Sequence, residues 1–196
     1  MREETKVLYG YRFKVFLNTL KSKLASRPSY NPDKKRIIQK IGLLFDATEI
    51  DEKNEVLAFA KILENAGTKV NRLGYLDHSA DTGGIQFWHF NNSNRTFYFI
   101  PSNYDVDRFM DLEFDMLINA DLSQSLSLHY IAILSKAYIK VGPHSIFDEY
   151  YHLILDTRDT LDIKQYLREL ISILNKVSFN GKLIDKRSRD SAGNPI

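Results

Sequence analysis

Cysteine is absent from the 196 residues, which excludes disulfides, thiolate metal sites and cysteine nucleophiles and fits a reducing compartment. Long apolar runs are missing as well. No stretch approaches the roughly 18 to 20 apolar residues that span a bilayer. The first 25 residues lack a continuous apolar run ending in small residues. Neither a membrane span nor a secretory signal is therefore expected, and the cytoplasm is the default location. Internal repeats and low-complexity tracts are not apparent. A chain of this length buries one sizeable core without staples, so one compact domain with extensions is expected.

The common chemical signatures are also lacking. Neither G-x-G-x-x-G nor G-x-x-x-x-G-K-[ST] occurs, and the only glycine pair, Gly83-Gly84, does not open a helix after a strand. Backbone amides of a helix beginning near Ser125 can attract an anion, as those of any helix start can. His78, His89, His129, His144 and His152 show no paired metal spacing. His129 lies in an apolar helical run and reads as a hydrogen-bonded packing residue. His144, after Gly142-Pro143, sits on a strand-end loop where a ligand contact is conceivable. The elbow G-x-S-x-G is absent. No catalytic residue, metal or cofactor is assigned on these grounds.

What is present is an alternation of strands and helices. Ile41-Gly42-Leu43-Leu44-Phe45 is apolar on both faces, as a strand in the middle of a parallel sheet should be. Thr48-Glu49-Ile50-Asp51 reads as a capping box in which the Thr48 hydroxyl accepts from the N–H near Asp51. Val56, Phe59, Ala60 and Leu63 repeat at helical spacing, Gly67 supplies a left-handed stop, and Lys69 to Leu76 is the next strand. The unit recurs: a strand from Phe114 to Ile118, a helix from Leu126 to Ala137, strands at Tyr138 to Val141 and Tyr151 to Leu155, and a closing helix. That last helix carries the stripe Ile163, Tyr166, Leu167, Leu170, Ile171, Leu174. Ile85 to Ile100, with its turn-like Asn91-Asn92-Ser93-Asn94, reads as a hairpin or as one strand plus a long loop. Lys136 is expected in a last helical turn, where it complements the dipole. Lys140 alternates away from Ile139 and Val141 at a sheet margin.

Asp46, Asp77, Asp121 and Asp156 follow predicted strand ends. At that edge of a parallel sheet clustered carboxylates can hold Mg²⁺ for phosphate or sugar-nucleotide chemistry, which predicts a shared pocket. Asp is equally at home there as a cap of local backbone amides. Asp46-Ala47-Thr48 lacks the second Asp of a haloacid-dehalogenase-type phosphatase, and the paired acids of a response regulator are missing.

Charge is segregated. Residues 1 to 41 carry 11 of the 27 Lys and Arg against three acids, a net +8, while the other 155 carry 16 basic and 22 acidic groups, a net −6. A cationic arm on an anionic body suggests a polyanionic partner. Phe13, Phe16, Leu17, Leu20 and Leu24 form one helical stripe flanked by Arg12 and Lys23 on one side and Lys14 and Lys21 on the other. This amphipathic helix ends before Pro28, ahead of Lys34-Lys35-Arg36. Its stripe packs on the domain, enters an anionic membrane surface with its basic stems snorkelling, or meets a protein partner. RNA or a ribosomal surface is favoured, through Arg12, Lys14, Lys21, Lys23, Arg27, Lys34, Lys35 and Arg36, because the charge continues past the helix. Tyr9, Tyr11 and Tyr30 lie beside these groups and can stack on unpaired bases.

The segments IGLLFDA, FDMLINAD, LHYIAILSKAYIKVG and YYHLILD behind a short basic arm resemble the small uncharacterised Rossmann-like proteins of Bacteroidota, a family of unknown function. The most specific stretch runs from His129 to Gly142, while Gly83 to Asn94 matches poorly. The resemblance implies a cytoplasmic α/β sandwich and brings no catalytic residue. The expected organisation is a basic amphipathic helix and linker at 1–36, a three-layer Rossmann-like α/β domain with a mostly parallel sheet at 37–179, and a polar tail at 180–196. The expected role is non-enzymatic binding.

Overall fold

Apolarity on both faces puts β1 (Lys40–Asp46) at the middle of the sheet. It pairs with β2 (Lys69–Leu76) on one side and β4 (Met116–Ala120) on the other. With β3 (Trp88–Asn91), β5 (Ile139–Pro143) and β6 (Leu153–Leu155) the order is β3-β2-β1-β4-β5-β6, parallel throughout. The computed structural model describes residues 3–26, 38–79, 84–157 and 162–176. The result is a three-layer, Rossmann-like α/β sandwich whose strand order reverses between β1 and β4.

One face of the sheet is covered by α2 (Ile50–Asn65) and α5 (Ile163–Lys176), which bury Val56, Phe59, Leu63, Tyr166 and Leu170 against Ile41, Leu43, Phe45 and Ile118. The opposite face is covered by α3 (Tyr104–Asp111), α4 (Leu126–Leu134) and the amino-terminal α1 (Glu3–Ala25). Phe16 of α1 is 0% exposed, its ring centroid 6.0 Å from Tyr130 and 6.1 Å from Phe147. Leu20 is buried beside it, and Phe13, Leu17 and Leu24 are half-buried. The predicted stripe therefore faces the domain, where an aromatic of this size contributes about 1.5 to 3 kcal/mol by leaving water.

α2 ends as the sequence requires. Gly67 adopts φ +91°, its N–H donates to the Glu64 carbonyl, and Thr68 N–H reaches the Leu63 carbonyl, which closes the last turn. Its start differs from expectation. Glu49 is the cap residue and no side chain caps the helix, because the Thr48 hydroxyl turns away to accept from Asp77 N–H at 2.8 Å. A tie between the β1 and β2 ends displaces the capping box.

α4 stops at Leu134, short of the expected Ala137, and Lys136 beyond it pairs with Asp111 at 3.2 Å. The Lys140 ammonium, reaching back from β5, donates to the Ile133 carbonyl at the helix end. Ile85 to Ile100 is one parallel edge strand followed by a loop. α3 has no counterpart in the sequence reading. Asn103 caps it, accepting from Val106 N–H at 2.8 Å and donating to the His89 carbonyl.

Candidate functional site

Helical spacing fixes what α1 presents. Docking through Phe16 and Leu20 turns Tyr11, Lys14, Asn18 and Lys21 outward on one stripe, and all four are exposed. Lys23 is exposed on the Arg12 flank. Among the described residues Lys14, Lys21 and Lys23 form no ion pair with a carboxylate. Arg12 is held within the molecule. Its guanidinium lies 4.2 Å from the Phe97 ring centroid and 3.9 Å from that of Phe99, while Nε donates to the Phe97 carbonyl at 2.7 Å. Arg27, Lys34, Lys35, Arg36 and Tyr30 lie outside the described residues.

The loop that clamps Arg12 is tightly turned. Arg95 and Pro101 form an antiparallel bridge, Thr96 N–H donates to the Ile100 carbonyl, and Phe99 takes φ +62°. A bulky residue in that region is strained. The turn leaves Phe97 54% exposed and sets the half-buried Tyr98 beside Tyr11, which is 57% exposed. Tyr11 and Tyr98 meet edge to face at 6.3 Å. Sequence reasoning found Tyr9 and Tyr11 but missed Phe97 and Tyr98, which sit 87 residues along the chain from Tyr11 in the case of Tyr98 and become neighbours only through the fold.

Three of the four strand-end aspartates are engaged by neighbouring groups. Asp46 accepts from Thr48 N–H. Asp77 accepts from the Tyr75 hydroxyl and the Asn92 amide, and lies 3.8 Å from Arg95. Those two hydrogen bonds, the Asn92 one foremost, hold its carboxyl below the usual range. Asp121 is 0% exposed and accepts from Ser123 N–H, the Ser123 hydroxyl and Ser125 N–H. Burial pushes its carboxyl up to about 6. A buried side chain of this chain thus already occupies the anion position at the start of α4. Asp156 follows β6 at the surface. Among the described residues no group of three or more His, Asp and Glu is placed to hold a metal ion.

A buried polar chain runs from mid-sheet to the carboxyl edge. Asn119 of β4 donates to the Tyr151 hydroxyl at 3.1 Å, that hydroxyl meets His129 Nδ1 at 2.9 Å, and His129 Nε2 meets Gln124 Oε1 at 3.2 Å. Gln124, with φ +61°, donates in turn to the His144 carbonyl at 3.1 Å. His129 is the packing residue its apolar helix suggested; burial pushes it down to about 4, so it is neutral at pH 7. The rest of the chain was invisible in sequence, since Asn119, Gln124 and Tyr151 share no spacing rule. His89, whose Nδ1 meets the Phe87 carbonyl, and His152, whose Nδ1 accepts from Lys140 N–H, stand apart from it.

The chain's outer end borders a cleft of about 740 Å³, lined by Tyr9 and Phe13 of α1, Gln124, Leu126, residues His144 to Phe147, and Thr157. His144 Nδ1 lies 2.6 Å from Asp148 Oδ2, and Asp148 Oδ1 accepts from Ser145 N–H, which fixes the loop. No helix among the described residues is long and apolar enough to cross a membrane.

Over residues 12–177 the chain matches the model of DUF6913, a family of unknown function. Neither a curated protein nor a solved structure matches it.

Proposed function

The chain belongs to this DUF6913 family, and we propose that it is a cytoplasmic, non-enzymatic binding protein that associates with RNA, free or on the ribosome, through α1 and the basic segment after it. The observation that carries this reading is the outward stripe Tyr11, Lys14 and Lys21 set beside Phe97 and Tyr98. The exposed Tyr11 and Phe97 and the half-buried Tyr98, beside ammonium groups that form no ion pair among the described residues, suit a single strand, whose bases stack while its phosphates take the charge. Lys23 adds a further exposed charge, and Arg27, Lys34, Lys35 and Arg36 follow α1 in the sequence. Arg12 has a different part: clamped between Phe97 and Phe99, it holds the aromatic loop against the helix.

The test is fluorescence anisotropy with a labelled oligouridylate, a duplex RNA of equal length, and phosphatidylserine vesicles in a parallel sedimentation assay. The single strand is expected to bind best, with Tyr11→Ala and Tyr98→Ala each weakening it by about fivefold or more. Equal binding of strand and duplex, or partition onto vesicles alone, contradicts the reading.

A further inference from the structure

The cleft at the β4–β6 carboxyl edge is independent of the RNA surface and has the features of a small-molecule site. Its 740 Å³ lies within the range of about 300 to 1,000 Å³ typical of ligand pockets. Its walls are mostly apolar and aromatic: Tyr9, Phe13, Leu126, Ile146 and Phe147. Ile146, 74% exposed, adds an accessible apolar side chain to that wall.

The polar end is organised from behind. Asp148 takes His144 on Nδ1 and Ser145 on its N–H, while Gln124, itself anchored to buried His129, takes the His144 carbonyl. In the neutral form of an imidazole whose Nδ1–H is donated to a carboxylate, as the 2.6 Å His144–Asp148 contact arranges, Nε2 is left as an acceptor. A ligand meeting that nitrogen has to bring a donor. Among the described residues no Lys or Arg lines the cleft, while the Asp148 carboxylate holds His144 and Ser145 and that of Asp121 holds the Ser123 and Ser125 amides beside Gln124, a negative surrounding that disfavours a phosphate.

We propose that the cleft binds an uncharged aromatic small molecule whose ring lies against Tyr9, Phe13 and Phe147 and whose hydroxyl or N–H donates to His144 Nε2. α1 then has a second use, since its Tyr9 and Phe13 complete the pocket wall.

Three probes sharing one ring system test this: 2-naphthol, 2-methoxynaphthalene, which lacks the donor, and 2-naphthyl phosphate. Each is titrated into the full chain while the ¹⁵N resonances of the histidine side chains are followed. 2-Naphthol is expected to bind saturably, to move the His144 Nε2 resonance, and to bind about fivefold tighter than the methoxy compound, the difference made by one neutral hydrogen bond. His144→Ala should remove that preference, and Ile146→Asp, at an exposed position, should weaken both neutral probes without unfolding the chain. The proposal is overturned if no probe saturates, if the phosphate binds tightest, if the two neutral probes bind alike to the wild type, or if binding survives Ile146→Asp. The assay contains no nucleic acid, so its failure leaves the RNA reading where it was.

Discussion

The two faces of the sheet are covered in different ways. On the α2 and α5 side the core is largely aliphatic and its helices directly follow strands β1 and β6 in the chain. On the α1, α3 and α4 side the core is rich in rings, Phe16, Phe90, Phe109, Phe114, Tyr130 and Phe147, and one of its covering helices comes from outside the alternating strand and helix pattern. Every candidate feature lies on that second side: the outward stripe, the clamped loop, the polar chain from Asn119 and the cleft. The first face holds the sheet together; the second also carries a helix with two working sides, apolar inward and cationic outward.

The sharpest way to break this comparison is to truncate a ring on each face. Phe16→Ala and Phe59→Ala should each lower the unfolding free energy by about 3 to 5 kcal/mol in urea titrations, since both rings are fully packed. A loss below about 1 kcal/mol at Phe16 alone would mark α1 as a detachable arm.

The polar chain gives the next effect. His129 has its folded pKa lowered to about 4 from 6.5, so between those values the unfolded chain binds the proton and the native state is penalised. Its contribution is whole above pH 6.5 and lost as pH falls towards 4. Asp121, raised to about 6 from 3.8, works in the opposite sense over the same window, its contribution present at low pH and lost as pH rises through 6. The wild-type profile alone therefore conceals both. The difference between wild type and His129→Gln isolates the histidine, and the wild type should lose roughly 3 kcal/mol relative to the variant between pH 7 and pH 4. A pH-independent difference would contradict the buried neutral imidazole.

A smaller effect is expected at Gly142, where an added Cβ would lie 2.5 Å from the Tyr151 ring. Gly142→Ala should cost about 1 to 3 kcal/mol by shifting that ring, and should perturb the His129 resonances through the Tyr151 hydroxyl. Smallest of all for stability are Lys14→Gln, Lys21→Gln and Lys23→Gln, each within about 0.5 kcal/mol. Combined, they should flatten the salt dependence of oligouridylate binding by about 2 in the log–log slope. Unchanged slope with unchanged stability would remove these lysines from the RNA surface.

Much of the fold was legible because it is periodic. β1 and the stripes of α1, α2 and α5 follow from spacing, and Gly67 from its backbone freedom. α3 was not legible: two buried residues, Val106 and Phe109, are too few to declare a helix, and its cap Asn103 looks like any loop asparagine. The Thr48 capping box failed because a long-range partner, Asp77 N–H, competed for the hydroxyl. The candidate sites were half legible. Lysines on α1 follow from the helical wheel, whereas Phe97, Tyr98 and the path from Asn119 to His144 depend on tertiary neighbours that no local pattern encodes.

Everything proposed for the second face requires α1 to be seated by Phe16 and Leu20 while its lysines look outward. Hydrogen exchange of the full chain, read at the amides of residues 13–24, tests that seat directly. The predicted result is protection comparable to that of α4; exchange at the rate of an unfolded peptide while α4 stays protected would contradict it.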